Sequence, residues 1–437
     1  MNICLIGKVP PIQGGVSRLT LETALHLGRA GHNVDIVTNA DSSELGFRQL
    51  MLEDDQRYLN TLNSDRVFIN NLSEFRSNSH IPGSPAYQAR LFGKGLEIIE
   101  QRQIDLIIGW YLYPYGLVAA HLAKVCDKPC ILLHAGSDLG RLSLNSEIKL
   151  TFKHALSCAT RIIHMPVPAV ESILDNLGCN LEKRVPISGV FLPDDVLQSA
   201  RFGADILSLE KYRRAFFENY LSSNDAARLS EYQFEDSCET DFTLGIYGKI
   251  GEAKGTYSLL DSIKALLQRG YKLKLRQIIA GSEHEIRRYL SACVSEPLLR
   301  GNLSLLPPLP PWKVNSFIKM CDAVCFLEDG FSIPYHTPGV PLEIMAAGRA
   351  PIMYPQETSA VAGLLRGGIN YLAVKRSDSG ELKRVIARAA EDRETTIEIG
   401  RMAAFTLGQL KRRVSELHKD RPVFTAVKGV LDSYEKS

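Results

Sequence analysis

The stretch Asn2-Ile-Cys-Leu-Ile-Gly-Lys-Val-Pro-Pro-Ile-Gln-Gly-Gly15 decides the fold of this chain. It begins with a short apolar run, typical of a buried parallel strand, and continues into a loop rich in Pro and Gly. Apolar residues then recur at helical spacing from Val16 until Gly31 ends the helix, and residues 33–38 (NVDIVT) are the second predicted strand. Parallel strands need such a crossover between them, so residues 2–38 predict a βαβ unit.

The same alternation continues along the chain. Up to residue 195, the pattern predicts strands at 105–108, 129–134, 161–164 and 184–187, with helices at 115–124 and 166–177. A second series predicts strands at 242–247, 273–280, 302–306, 323–327 and 350–354. Its helices are predicted at 256–268, 284–294, 312–320 and 342–347, followed by a helical tail. Such alternation is typical of doubly wound α/β domains.

The domain organisation follows from these two series. We expect an N-terminal Rossmann-like domain at 1–195 and a C-terminal Rossmann-like domain at 241–405. The region 196–240 breaks the alternation and reads as a helical insertion or linker. The tail at 406–437 is predicted to form helices that pack back on the N-terminal domain.

Composition excludes several classes of protein. Of 437 residues, 45% are hydrophobic and 23% are charged, which is ordinary for a globular protein. Lys and Arg number 51 against 49 Asp and Glu, so the balance gives no sign of nucleic-acid binding. The nine cysteines lack zinc-site spacing, and an apolar strand already includes Cys4, which favours reduced thiols in the cytoplasm and no signal peptide.

One stretch resembles a membrane span but is not expected to be one. Residues 106–123 contain no charged side chain, yet they carry two glycines, a proline, and three tyrosines in mid-span. Membrane helices place such aromatic residues at their ends. We therefore expect a strand, a loop and a helix.

The N-terminal half offers two candidate binding loops, each directly after a strand, where parallel sheets bind ligands. Gly14-Gly15 precedes a helix, and free amides there suit an anion, although a tight turn would explain the glycines equally well. His134 and Asp138 follow the strand at 129–134 and are candidate catalytic residues. Alternatively, His134 is a satisfied strand-end histidine and Asp138 is a helix N-cap.

The C-terminal half offers two more. Lys249 and Lys254 flank a glycine-bearing loop and suit a diphosphate, unless they are ordinary surface lysines. Glu343 lies in the first turn of a helix that begins near Pro341. A carboxylate there can accept ribose hydroxyls or merely complement the helix dipole.

Taken together, these segments resemble the GT-B glycosyltransferases, specifically glycosyltransferase family 4. The resemblance rests on four segments in order: Pro11-Ile-Gln-Gly-Gly-Val16, His134-Ala-Gly-Ser-Asp138, Gly248-Lys249 with Lys254-Gly255, and Pro341-Leu-Glu-Ile-Met-Ala-Ala-Gly-Arg-Ala-Pro351. It covers residues 2 to about 375 except the insertion. It implies two Rossmann-like domains with the active site in a cleft between them.

The chain departs from the family pattern at two positions. The family's E-x7-E motif would place its first Glu at Tyr335, with His336 next to it and Glu328 and Asp329 the nearest acidic residues. Lys249 stands where Arg is usual, which keeps the charge but loses bidentate geometry.

The resemblance implies retaining transfer of a sugar from a nucleotide-sugar, UDP- or GDP-linked, to an acceptor hydroxyl in glycan, polysaccharide or glycoconjugate biosynthesis. It implies no cofactor and no metal, and a carbohydrate or lipid-linked acceptor. Lys249, Lys254, Gly14 and Gly15 would bind the diphosphate, Glu343 the ribose, and His134 would lie near the sugar. The expected donor contacts further include Gly281, Ser282, Glu328 and His336.

The sequence pattern also fits other functions. A non-catalytic nucleotide-sugar-binding or scaffold protein of the same fold, an epimerase and a phosphorylase are all compatible with the pattern. The segment Lys211-Tyr-Arg-Arg-Ala-Phe-Phe-Glu-Asn-Tyr-Leu221 predicts a basic, aromatic helix. Such a helix packs its aromatic face on the protein or makes a weak peripheral contact with the inner face of the membrane.

Overall fold

A computed structural model describes residues 1–40, 47–62, 66–72, 85–134, 136–186, 206–221, 223–233, 241–329, 338–355, 362–376, 380–417 and 422–434. The described chain forms two compact units. Unit 1 contains 1–186 together with the residues from 415 onward, and unit 2 contains 206–414.

Unit 1 is built on a seven-stranded parallel sheet in the order β3-β2-β1-β4-β5-β6-β7. Its central strands are buried on both faces, which is why they are continuous apolar runs. The strands are β1 (Asn2–Ile6), β2 (Asn33–Thr38), β3 (Val67–Asn71), β4 (Leu106–Trp110), β5 (Cys130–Leu133), β6 (Arg161–His164) and β7 (Arg184–Pro186).

Helices connect these strands in unit 1. The Asn145 side chain caps the helix that begins at Ser146 by accepting hydrogen bonds from the Glu147 and Ile148 amides. Another helix begins at Pro168. The helices are α1 (Gly15–Arg29), α2 (Glu53–Leu62), α3 (Pro85–Arg102), α4 (Leu117–Cys126), α5 (Ser137–Gly140), α6 (Ser146–Cys158) and α7 (Pro168–Asn176).

Unit 2 is built on a six-stranded parallel sheet in the order β10-β9-β8-β11-β12-β13. The strands are β8 (Phe242–Lys249), β9 (Leu273–Ala280), β10 (Leu303–Leu306), β11 (Ala323–Phe326), β12 (Ala350–Met353) and β13 (Leu372–Ala373). The remaining helices are α8 (Ile206–Tyr220), α9 (Ser223–Ser230), α10 (Thr256–Leu267), α11 (Glu283–Val294), α12 (Pro311–Lys319), α13 (Val340–Ala346), α14 (Glu381–Glu391), α15 (Arg393–Leu417) and α16 (Pro422–Tyr434).

Two parts of the chain that fall outside the strand–helix alternation are placed by their contacts. Helix α8, from the predicted insertion, packs against β10 within unit 2. The last helix, α16, contacts β6 and β7 of unit 1.

Two of the aromatic side chains of α8 are buried, which bears on the peripheral-membrane hypothesis. Tyr212 and Phe216 are buried, because they lie on the side of the helix that faces the protein. Arg213 pairs with Glu210 one turn earlier. Of the two alternatives for this helix, the structure therefore favours packing on the protein.

The stretch 106–123 forms strand β4, a turn at Leu112–Gly116 and the start of α4, as the sequence predicts. Among the described helices, none is both long and apolar enough to cross a membrane. The eight described cysteines are all free thiols.

The pattern missed two strands. Both β3 and β13 lie at sheet edges, where side chains are only partly buried and a strand needs no continuous apolar run. Helices α2, α3 and α6 also went unpredicted, whereas β2, β6 and β9 have the predicted bounds.

Candidate active site

The loop from β1 to α1 leaves an open helix N-terminus at the carboxyl edge of the first sheet. Gly14 is the N-cap of α1 at φ 125°, a backbone conformation that favours glycine, and no side chain caps this helix. A Cβ built on Gly15 would meet no atom within 4 Å. Backbone amides in the first turn are therefore reachable by an anion.

Three buried charged residues lie in this loop or in α1, and the sequence analysis did not identify them as candidates. Lys8 lies two residues after β1 and is almost fully buried, with its Nζ 5.6 Å from the centre of the Tyr111 ring. Arg18 and Glu22 in α1 form a buried ion pair at 3.3 Å. The signal that could have found the pair is the i,i+4 spacing of opposite charges on an otherwise buried helix.

His134 is a buried side chain whose ring is neutral near pH 7. Only 2% of its surface is exposed, and the Met165 amide donates to its Nε2 at 3.1 Å. Burial, followed by the neighbouring His164, lowers the pKa of His134 to about 3. Desolvation disfavours the imidazolium, so the ring is neutral near pH 7, and its bond with Met165 fits the alternative of a satisfied strand-end histidine. Contact of the neutral ring with a sugar stays a prediction.

Asp138 joins two loops of the first sheet. It is fully buried, and its Oδ2 accepts the Leu112 amide at 2.8 Å, while Oδ1 accepts the Leu139 amide at 2.9 Å. The bond with Leu112 connects the segment after β5 to the segment after β4. The structure therefore gives Asp138 a role in loop positioning, and a catalytic role stays a prediction.

In unit 2, the two lysines of the glycine loop have different surroundings. Lys254 pairs with Glu328 at 2.8 Å, and the side chain of Glu328 is only 8% exposed. Lys249, the last residue of β8, is exposed. The sequence analysis predicted the same role for both lysines, but the Lys254 ammonium group already neutralises the buried Glu328 carboxylate.

The same glycine loop packs tightly on the segment after β11. The Asp329 amide donates to the Ala253 carbonyl at 3.0 Å. A Cβ on Gly255, at φ 68°, would lie 2.4 Å from the Leu327 Cβ. Gly255 is therefore required by packing and backbone conformation together.

Glu343 is held at the start of α13 by a tyrosine from the first strand of this unit. The Tyr247 hydroxyl donates to Glu343 Oε2 at 2.6 Å, and both side chains are half-buried. The Tyr247 ring packs edge-on against Phe317, with ring centres 5.8 Å apart. Sequence reasoning found Glu343 but missed Tyr247, because the two are 96 residues apart.

The remaining donor candidates are placed as follows. Gly281 and Ser282 follow β9, next to β8 in the sheet. The Ser282 hydroxyl and the Glu285 side chain form a capping box on α11, so this serine has a structural task and its contact with a donor stays a prediction. His336 and Tyr335 lie outside the described residues.

Two family models match the chain. Residues 13–178 match Glycosyltransferase Family 4, and residues 230–404 match Glycosyl transferases group 1. The matches begin within the loop before α1 and include β8, the glycine loop and α13.

This chain is a GT-B glycosyltransferase of the family 4 type. Because the chain belongs to this family, glycosyl transfer is favoured over the three alternatives of a non-catalytic protein, an epimerase and a phosphorylase. The search of curated protein sequences found no match.

Solved structures support the same fold for this glycosyltransferase. HepE from Anabaena, in complex with UDP-glucose, has a TM-score of 0.61 at 15% identity, with 100% of each chain covered. Sucrose-phosphate synthase from Thermosynechococcus elongatus has a TM-score of 0.59 at 14% identity, covering 95% of this chain and 99% of its own. The catalytic domain of starch synthase IV from Arabidopsis thaliana, bound to ADP and acarbose, has 0.57 at 13% identity, covering 96% and 98%.

Proposed function

We propose that this glycosyltransferase moves a sugar from a UDP- or GDP-sugar to an acceptor hydroxyl with retention of the anomeric configuration. The acceptor would be a carbohydrate or a lipid-linked glycan, in glycan, polysaccharide or glycoconjugate biosynthesis in the cytoplasm. The observation that carries the donor assignment is the Glu343 carboxylate, held by Tyr247 at a helix start. The complex of HepE with UDP-glucose supports a UDP-sugar as the first donor to test.

The leaving diphosphate needs compensation for its charge, and two kinds of group in this chain suit it. Lys249 is exposed at the end of β8, and the first turn of α1 carries open amides. Lys254 would contribute less net charge, since Glu328 already shares its ammonium group. We propose that these groups act without a metal ion, as the family resemblance implies.

The departure from E-x7-E bears on the sugar end of the donor. With Tyr335 at the expected position of the first Glu, the nearest acidic candidate upstream of the altered segment is Glu328–Asp329. Glu328 is buried and paired with Lys254, whereas Asp329 pairs with Arg376 at 3.0 Å. We therefore propose that sugar specificity differs from relatives that keep the motif.

The test is a donor screen with product analysis. Purified protein is incubated with UDP-glucose, UDP-N-acetylglucosamine and GDP-mannose, and release of the nucleoside diphosphate is measured with and without excess EDTA. We expect release from one donor, unchanged by EDTA. With water as the acceptor, NMR recorded before the freed sugar mutarotates should show the donor's anomeric configuration. Inverted product or an absolute metal requirement would contradict the proposal, and conversion of the donor to its epimer would show an epimerase instead.

A further inference from the structure

We infer that Tyr247 is a positioning residue for Glu343, orienting its carboxylate toward the ribose of the donor nucleotide. This inference rests on the proposed function, since it requires that Glu343 bind ribose hydroxyls. It adds a residue that the sequence motif does not contain. The Tyr247 hydroxyl lies 2.6 Å from Glu343 Oε2 and 3.5 Å from the Val340 carbonyl oxygen, so the carboxylate is its main acceptor.

The geometry explains why a carboxylate at this place needs a partner. Glu343 lies in the first turn of a seven-residue helix and is half-buried, with three rotatable bonds to restrain. A charge-assisted bond from a rigid phenol selects one orientation of the carboxylate. An ionised carboxylate offers about four acceptor positions, so a bond from Tyr247 leaves capacity for ligand hydroxyls.

The Tyr247 ring is itself well fixed. It lies on β8, whose partners β9 and β11 are on either side, and its ring packs edge-on against buried Phe317 of α12. Removing the hydroxyl keeps the ring that makes this packing, so Tyr247→Phe removes the hydrogen bonding of the hydroxyl, chiefly the bond to Glu343. Strand β8 therefore fixes the position of the Tyr247 hydroxyl, which in turn holds the Glu343 carboxylate of α13.

Unit 2 contains a matched control. Tyr271, just before β9, donates to Glu391 at the end of α14 at 2.5 Å. This is the same pair of groups, but it lies at the opposite end of β9 from the glycine loop. Tyr271→Phe thus removes the same kind of bond without touching the proposed ribose site.

The experiment measures discrimination between ribose and dideoxyribose. Calorimetry determines the Kd of UDP or GDP, whichever binds the wild-type protein more tightly, and of its 2′,3′-dideoxy form. We expect the wild type to prefer the ribonucleotide roughly tenfold or more, as for a hydrogen bond to a charged group. Tyr247→Phe should weaken the ribonucleotide about five- to tenfold and leave the dideoxy form unchanged, whereas Tyr271→Phe should alter neither.

A double variant then separates orientation from direct contact. Glu343→Gln should remove the discrimination, and adding Tyr247→Phe to it should weaken ribonucleotide binding no further, because Tyr247 acts only through the carboxylate. Additive losses would overturn the inference. Thermal unfolding checks that each variant is folded, and Tyr247→Met serves if the phenylalanine variant is not.

The outcomes distinguish the inference from the function on which it rests. If the wild type binds neither nucleotide, or binds both sugar forms equally, the proposed ribose site is wrong and the inference fails with it. If Glu343→Gln loses discrimination while Tyr247→Phe keeps it, only the inference is wrong. Equal weakening of both sugar forms by Tyr247→Phe would show a purely structural bond and would also overturn it.

Discussion

The loops after β1 and after β8 have the same plan, a strand, a glycine-bearing loop and a helix, but their glycines serve different purposes. Gly15 has open space where a Cβ would go, whereas a Cβ on Gly255 would collide with Leu327. The first loop therefore keeps its helix start accessible, and the second fits closely against the segment after β11. A glycine motif alone does not tell which of these two physical demands it meets.

The largest expected effect contrasts these two glycines. Gly255→Ala should lower the free energy of unfolding by about 2–4 kcal/mol, because it adds a left-handed alanine and an overpacked contact. Gly15→Ala should change it by less than about 0.5 kcal/mol and instead weaken UDP binding. Chemical denaturation and calorimetry measure the two quantities. Equal losses of stability in the two variants would break the comparison.

The two lysines give the next effect. Lys254→Met leaves the Glu328 carboxylate buried without its cation and should cost about 1–3 kcal/mol of stability. Lys249→Met should leave stability unchanged, since this side chain is exposed. Replacing both by Ala should weaken UDP binding more than uridine binding. If both ligands weaken alike, the diphosphate lies elsewhere.

The buried His134, which directly follows β5, leads to a prediction about the pH dependence of stability. Folding lowers its pKa from 6.5 to about 3, so the unfolded chain binds the additional proton between these values. Stability should therefore fall as pH drops below about 6.5, by about 1 kcal/mol per pH unit, with no contribution above that pH.

Denaturation curves from pH 7 to pH 5 measure this slope. His134→Gln keeps an acceptor for the Met165 amide but does not titrate, so its curve should be flatter than that of the wild type. The exposed His154 offers the control, because His154→Gln should keep the wild-type slope. A wild-type slope in His134→Gln would show that other groups carry the pH dependence.

The smallest expected effect concerns α8, which packs on β10 with its Tyr212 and Phe216 side chains buried. Since Tyr212 and Phe216 are buried, we expect no salt-sensitive co-sedimentation with anionic vesicles, in the wild type or in the Arg213→Ser, Arg214→Ser variant. Binding at low salt that this variant loses would restore the peripheral-membrane hypothesis.

The sequence by itself determined the two parallel sheets and the loops that matter. A parallel strand that is buried on both faces tends to be apolar on both faces, so β1, β4 and β5 could be recognised locally. Edge strands such as β3 carry no such constraint and were missed. Ligand loops could be located because they must follow the carboxyl ends of parallel strands.

Only the tertiary structure decided what each candidate side chain does. The Lys254–Glu328 pair and the Tyr247–Glu343 bond join residues 74 and 96 positions apart, and no local spacing encodes such contacts. Likewise, the neutral state of His134 follows from desolvation by residues distant in the chain. Periodicity is a property of neighbours along the sequence, whereas charge compensation, burial and orientation depend on neighbours in space.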